Sequence, residues 1–135
     1  MSITFKELIK DIPLSDIDHS VQVNLEELLK CVNIIRAKYG KPMIITSGLR
    51  SMQDHLRIYA AKGITDKSKI PMKSNHLIGA ACDISDPKQE LQKWILDNPE
   101  VLEEAGLYCE DFSASKTWVH FQCRPPKSGN RFFKP

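Results

Sequence analysis

The residues best able to do chemistry lie in Lys73-Ser74-Asn75-His76-Leu77-Ile78-Gly79-Ala80-Ala81-Cys82-Asp83-Ile84, where a histidine and an aspartate stand seven positions apart with a glycine between them. Gly79 permits a turn or a close backbone approach, and Gly79 to Ile84 then reads as a short buried strand. Alternation sends Ala81 and Asp83 to one face and Ala80, Cys82 and Ile84 to the other. A carboxylate flanked by Cys82 and Ile84 needs a metal or another cation to offset its desolvation. His76, just upstream of the turn, can reach the same point. A third ligand is offered by Lys116-Thr117-Trp118-Val119-His120-Phe121-Gln122-Cys123, an aromatic and β-branched run of strand type. Its alternation puts Trp118, His120 and Gln122 on one face and Val119, Phe121 and Cys123 on the opposite, core face. If the two strands are neighbours, His120 and Asp83 share a face. Two imidazoles and a carboxylate with an open fourth position make a catalytic zinc (Zn2+) arrangement, whereas structural zinc sites are closed by four cysteine or histidine ligands.

At these residues the chain resembles a known family. Ser74-x-His76-x-x-Gly79-x-Ala81-x-Asp83-Ile84, followed far downstream by Trp118-Val119-His120-Phe121-Gln122, is similar to the zinc D-Ala-D-Ala carboxypeptidases and the phage L-alanyl-D-glutamate endopeptidases. Upstream, Thr46-Ser47-Gly48-Leu49-Arg50-Ser51 with Tyr59 and Gly63 resembles that family's segment leading to a substrate-contacting arginine. The resemblance is strongest over residues 41–123. It implies zinc held by His76, Asp83 and His120, and substrate contacts from Arg50 and Ser74. It also implies an α+β fold with a small antiparallel sheet and flanking helices, as in the D-Ala-D-Ala peptidases and the hedgehog signalling domain. The implied substrate is a peptidoglycan stem peptide. For Arg50 the plainer alternative is an ion pair with Asp54 or Asp83.

One position departs from the pattern. Where the family places Asp or Glu three residues before the second histidine as general base, this chain has Thr117, which accepts no proton at neutral pH. The nearest carboxylates in sequence are Glu110 and Asp111, which become the candidate catalytic bases, with a solvated hairpin turn as the alternative. Thr117 equally allows a second expectation, a zinc-containing wall-binding or virion module without turnover.

Composition sets the frame. The 135 residues suit one domain, 1–135, with a core of its own, and a monomer is expected. Nineteen basic against seventeen acidic residues leave a net charge of +2, and no Lys/Arg stripe with interleaved aromatics marks a nucleic-acid binder. No segment approaches the roughly 18 apolar residues of a membrane span, and Met1-Ser2-Ile3-Thr4-Phe5-Lys6 lacks a signal-peptide pattern. A soluble product made in the cytoplasm is expected, reaching a cell wall only after release or delivery, as a phage lysis enzyme (endolysin) does. The four cysteines, Cys31, Cys82, Cys109 and Cys123, form no C-x-x-C pair and read as reduced structural thiols, with a Cys82 or Cys109 metal ligand as the minority alternative.

The elements that must position these groups follow from pattern. Residues 2–12 suggest a short helix capped by Thr4 and ended by Pro13. Asn24 with Glu27 imitates a capping box opening a helix through Leu25, Leu28, Leu29, Val32, Ile35 and Tyr39 that Gly40 stops. His19 falls in the polar linker before it. Met43 to Ser47 reads as a buried strand, and Gln53 to Lys62 as a helix with Leu56, Ile58 and Tyr59 inward and His55 solvated or hydrogen-bonded on its surface. Residues 64–73 form a polar, basic loop beside the candidate site. Asp86-Pro87 and Asn98-Pro99 each read as an N-cap followed by proline at the first helical position, the second helix closing at Gly106. Leu107-Tyr108-Cys109 resumes strand character. In the tail, 124–135, Pro125-Pro126 is extended and Phe132-Phe133 either packs back on the domain or meets a partner.

Overall fold

The protein is described by a computed structural model over residues 2–135; Met1, where the N-terminal signal reading begins, lies outside the described residues. In chain order the elements are α1 (Phe5–Ile9), α2 (His19–Tyr39), β1 (Ile45–Ser47), α3 (Met52–Ala61), β2 (Ala81–Ser85), α4 (Glu90–Asp97), α5 (Glu100–Ala105), β3 (Tyr108–Glu110), β4 (Trp118–Gln122) and β5 (Phe132–Phe133). The strands form one five-stranded sheet in the order β1-β2-β4-β3-β5. The expected α+β architecture holds, and four strands are antiparallel neighbours; β5, from the tail, adds a parallel edge on β3.

Helices α1, α2, α4 and α5 supply the apolar side chains that cover one sheet face. On α2, Leu25, Leu28, Val32 and Ile35 recur at helical spacing and are fully buried. They join Ile45, Cys82, Ile84, Cys109, Val119 and Phe121 in a single apolar cluster. Fully burying one such side chain contributes about 1.5–3 kcal/mol, so this face anchors the sheet whose opposite face carries the polar residues.

Thr4 does form a capping box with Glu7, but α1 ends at Ile9, where Lys10 takes φ 51, and not at Pro13. The helix expected from Asn24 begins at His19, so Asn24 lies inside it and its amide donates to the Ile78 carbonyl at 2.9 Å. The expected strand Met43 to Ser47 is not a buried run: β1 starts only at Ile45, and Ile44 just before it is 65% exposed, because β1 is the sheet's edge strand. Asp86 caps α4 from a distance, accepting from Leu91 N and Gln92 N at 3.0 and 2.8 Å, while Gln89 is the N-cap and Pro87 sits in the preceding turn. His55 is not a surface residue: it is fully buried, its Nε2–H donates to the Pro71 carbonyl at 2.8 Å, and it meets Tyr59 edge-on. Leu56, Ile58 and Tyr59 are only half-buried.

Two glycines let helices press on the loops around the site. A Cβ on Gly48 would lie 2.3 Å from the Leu8 carbonyl oxygen, so only glycine allows α1 to dock there. Gly79 has φ +76, and a Cβ would lie 2.8 Å from Leu25 Cγ on α2. The segment carrying His76 is therefore bounded by α2, and the Gly48 loop whose carbonyl it bonds is bounded by α1. Among the described residues no helix is long and apolar enough to cross a membrane.

Candidate metal centre and cleft

Sheet register assembles the site. Asp83 on β2 is paired with Ser47 on β1 and with His120 on β4. On the far side, β3 pairs Tyr108 with Gln122 and Cys109 with Phe121, so continuing that register by one residue brings Glu110 beside His120; Glu110 is in turn paired with Phe133 on β5. Ser47, Asp83, His120, Glu110 and Phe133 thus form one row across all five strands. His76 reaches the row from the turn before β2.

The ligand atoms of His76, Asp83 and His120 all lie within 4.8 Å of one another. His76 Nε2 is 3.5 Å and His120 Nδ1 2.9 Å from the same oxygen, Asp83 Oδ1. The outer ring nitrogens fix the tautomers. His76 Nδ1–H donates to the Gly48 carbonyl at 2.9 Å. Gln122 gives its amide N–H to the Arg124 carbonyl at 2.8 Å, which turns its Oε1 toward His120 to accept Nε2–H at 2.9 Å. Neutral rings held this way aim bare nitrogen lone pairs at a carboxylate oxygen, an arrangement that only a proton or a cation between them relieves. The donor set, two imidazoles and one carboxylate with satisfied outer partners, fits a zinc ion.

Electrostatics agree with that geometry. Burial pushes the Asp83 carboxyl upward, but when the rings carry a second proton the hydrogen bonds and charge of His120 and His76 outweigh it and hold Asp83 well below the usual carboxylate range. Burial works against protonating His120, yet the hydrogen bond and charge of Asp83 raise its pKa above the ordinary imidazole value. A positive charge is favoured at this point even when only a proton supplies it.

The other sequence-predicted residues fall into place unequally. Arg50 is paired with Asp83, Nη2 to Oδ2 at 3.6 Å, with Nε donating to Ser47 Oγ at 3.0 Å and its backbone N–H to the His76 carbonyl at 3.0 Å. Asp54 pairs instead with Arg57. Ser74 Oγ accepts from His76 N at 3.3 Å, which shapes the turn carrying the ligand. Glu110 lines the cleft with the three ligands, and burial is the main cause that raises its carboxyl above the ordinary value. Asp111 is not brought to the cleft: its carboxylate caps its own turn, accepting from Ser113 N at 2.9 Å. Cys82, Cys109 and Cys123 are buried, and desolvation pushes their thiols up, Cys123 to about 11; none of them joins the group formed by His76, Asp83 and His120. Sequence reasoning did not find Gln122 and Gly48 as the groups that orient the two imidazoles; Gln122 was visible on the His120 face, whereas a backbone carbonyl leaves no side-chain signal. The cleft holds about 660 Å³ and is also lined by Tyr59, Lys62, Lys73, Trp118, Lys127 and Phe133.

A family model described as peptidase M15 matches residues 3–122, which includes all three candidate ligands and Glu110. The chain belongs to the peptidase M15 family. As an M15 peptidase it has a fold similar to the crystal structure of the Serratia marcescens L-Ala D-Glu endopeptidase ChiX, with a TM-score of 0.53 at 20% identity, covering 84% of this chain and 93% of that one. No curated protein matches the M15 chain by sequence.

Proposed function

We propose that this M15 peptidase is a zinc enzyme that hydrolyses a peptide bond in the stem of peptidoglycan. The observation that carries the reading is the meeting of His76 Nε2, His120 Nδ1 and Asp83 Oδ1, with both outer ring N–H groups fixed by carbonyl oxygens. His76, Asp83 and His120 would hold the zinc, which would supply Lewis acidity and a water acidified to a pKa of about 7. Glu110, next to His120 in the sheet row, takes the proton of the attacking water and delivers it to the departing amine. Arg50 pairs with the second oxygen of Asp83 and keeps the carboxylate aimed; it also lines the cleft, where its guanidinium takes a substrate carbonyl or carboxylate. Ser74 fixes the turn that presents His76. Between a carboxypeptidase and an endopeptidase, the likeness to an L-Ala D-Glu endopeptidase supports the latter.

Thr117 supports a second reading, a zinc-holding wall-binding module without turnover, since the family's base position is empty of a carboxylate. Digestion of purified peptidoglycan by zinc-loaded protein separates the two. New amino termini released by the wild type and absent with His120→Ala support the enzyme. No release from zinc-loaded wild type supports the module.

A further inference from the structure

The chain beyond the family match at residue 122 builds part of the cleft. After Pro125-Pro126 it turns through Gly129, whose N–H donates to the Pro126 carbonyl at 3.0 Å, and runs along the free edge of β3 as β5. The Arg131 carbonyl accepts from Cys109 N at 2.7 Å and the Phe133 carbonyl from Asp111 N at 2.6 Å, so the tail is bonded on both sides of Glu110. Arg131 stacks over Tyr108 at 4.3 Å and donates to the Leu107 carbonyl, and Phe132 meets Phe112 edge-on at 4.9 Å. Phe133 is buried, with its ring centroid 6.3 Å from that of His120. A segment held this way is a fixed wall.

It also changes the charge of the opening. The cleft is lined by Arg50, Lys62, Lys73 and Lys127 against Asp83 and Glu110. Arg50 is engaged with Asp83, whereas among the described residues no ion pair engages Lys62, Lys73 or Lys127. These three lysines come from three places: the C-cap of α3, the end of the polar loop 64–73, and the tail. Lys62 stands over the Tyr59 ring at 5.1 Å, but cations gathered around one opening without a carboxylate partner repel one another and focus a positive field into it, which favours an anionic ligand.

We propose, resting on the peptidase reading above, that the C-terminal segment is a specificity element. Phe133 and Pro135 form an apolar wall for a substrate residue beside the cut bond, and Lys127, with Lys62 and Lys73, receives a free carboxylate of an acidic peptide away from that bond. The test uses two synthetic stem-type peptides identical except that one acidic residue carries a carboxylate in the first and its amide in the second, cleaved by the full-length zinc-loaded protein. Lys127 is exposed, so Lys127→Met keeps the fold. The wild type shows a lower KM for the acidic peptide. Lys127→Met raises that KM by roughly three- to fivefold, the size of an exposed ion pair, with little change in kcat, and Lys127→Arg restores it. An unchanged acid-to-amide preference in Lys127→Met, or equal KM values for the two peptides in the wild type, overturns the proposal while leaving the peptidase reading intact. Cleavage of neither peptide removes the peptidase reading and the proposal with it.

Discussion

Glu110→Gln is the substitution that tests the catalytic assignment most sharply. Glutamine keeps the shape of the side chain in the row between His120 and Phe133, so the sheet and the three ligands are retained, but it accepts no proton. A positioned general base contributes about 10²–10⁴ in rate, or roughly 3–5.5 kcal/mol at about 1.36 kcal/mol per tenfold. Turnover of a stem-type peptide by Glu110→Gln is therefore expected to fall by at least about a hundredfold, at unchanged zinc content. Asp111→Asn is the matched control, because that carboxylate is committed to the Ser113 turn; its kcat/KM is expected within about twofold of wild type, as for a surface change. The pH profile carries an independent reading. Glu110 must be ionised to act, and burial raises its pKa, so wild-type activity grows as pH rises through a limb lying above the ordinary glutamate value of about 4.3. The residual activity of Glu110→Gln lacks that limb. Activity of Glu110→Gln within tenfold of wild type, with a large loss in Asp111→Asn, would reverse the assignment.

Two further outcomes follow from the supports of the site. Gln122→Leu leaves His120 Nε2–H without its acceptor and is expected to weaken zinc binding by about 10–100-fold without unfolding the protein; equal affinity in competition with a chelating dye would show that Gln122 does not orient the ring. Gly79→Ala places a methyl at φ +76 and 2.8 Å from Leu25 Cγ, which costs about 1–2 kcal/mol in the backbone and a similar amount in overlap. The thermal midpoint should drop by roughly 10 °C, against a smaller drop for Gly40→Ala, where nothing lies within 4 Å; equal drops would mean that the turn is not pressed against α2.

The parts of this molecule written in local pattern were legible in the sequence. Period-two alternation put His120 and Gln122 opposite Val119 and Phe121, and the structure keeps them there, with His120 against Asp83 in the expected strand pair. Helix starts misled where a chance capping pattern, Asn24 with Glu27, lay inside a longer helix opened at Asp18, and where Asp86 bonded two N–H groups across an intervening turn. His55 was misplaced because its burial depends on the loop that brings the Pro71 carbonyl over α3. The preference for Glu110 over Asp111 is a matter of β3–β4 register and of the edge strand supplied by residues far downstream. No local pattern encodes that pairing. By composition Phe132-Phe133 either packs back on the domain or meets a partner, and only the unpaired edge of β3 makes it a strand packed on the domain.

Catalysis by this site requires one cation between two rings and a carboxylate. The direct measurement is anomalous scattering at the zinc edge from crystals of the protein grown with the metal. The expected result is a single peak at about 2.0–2.2 Å from His76 Nε2, Asp83 Oδ1 and His120 Nδ1, with the remaining direction open to the cleft beside Glu110. A peak elsewhere, or one closed by a fourth protein side chain, contradicts it.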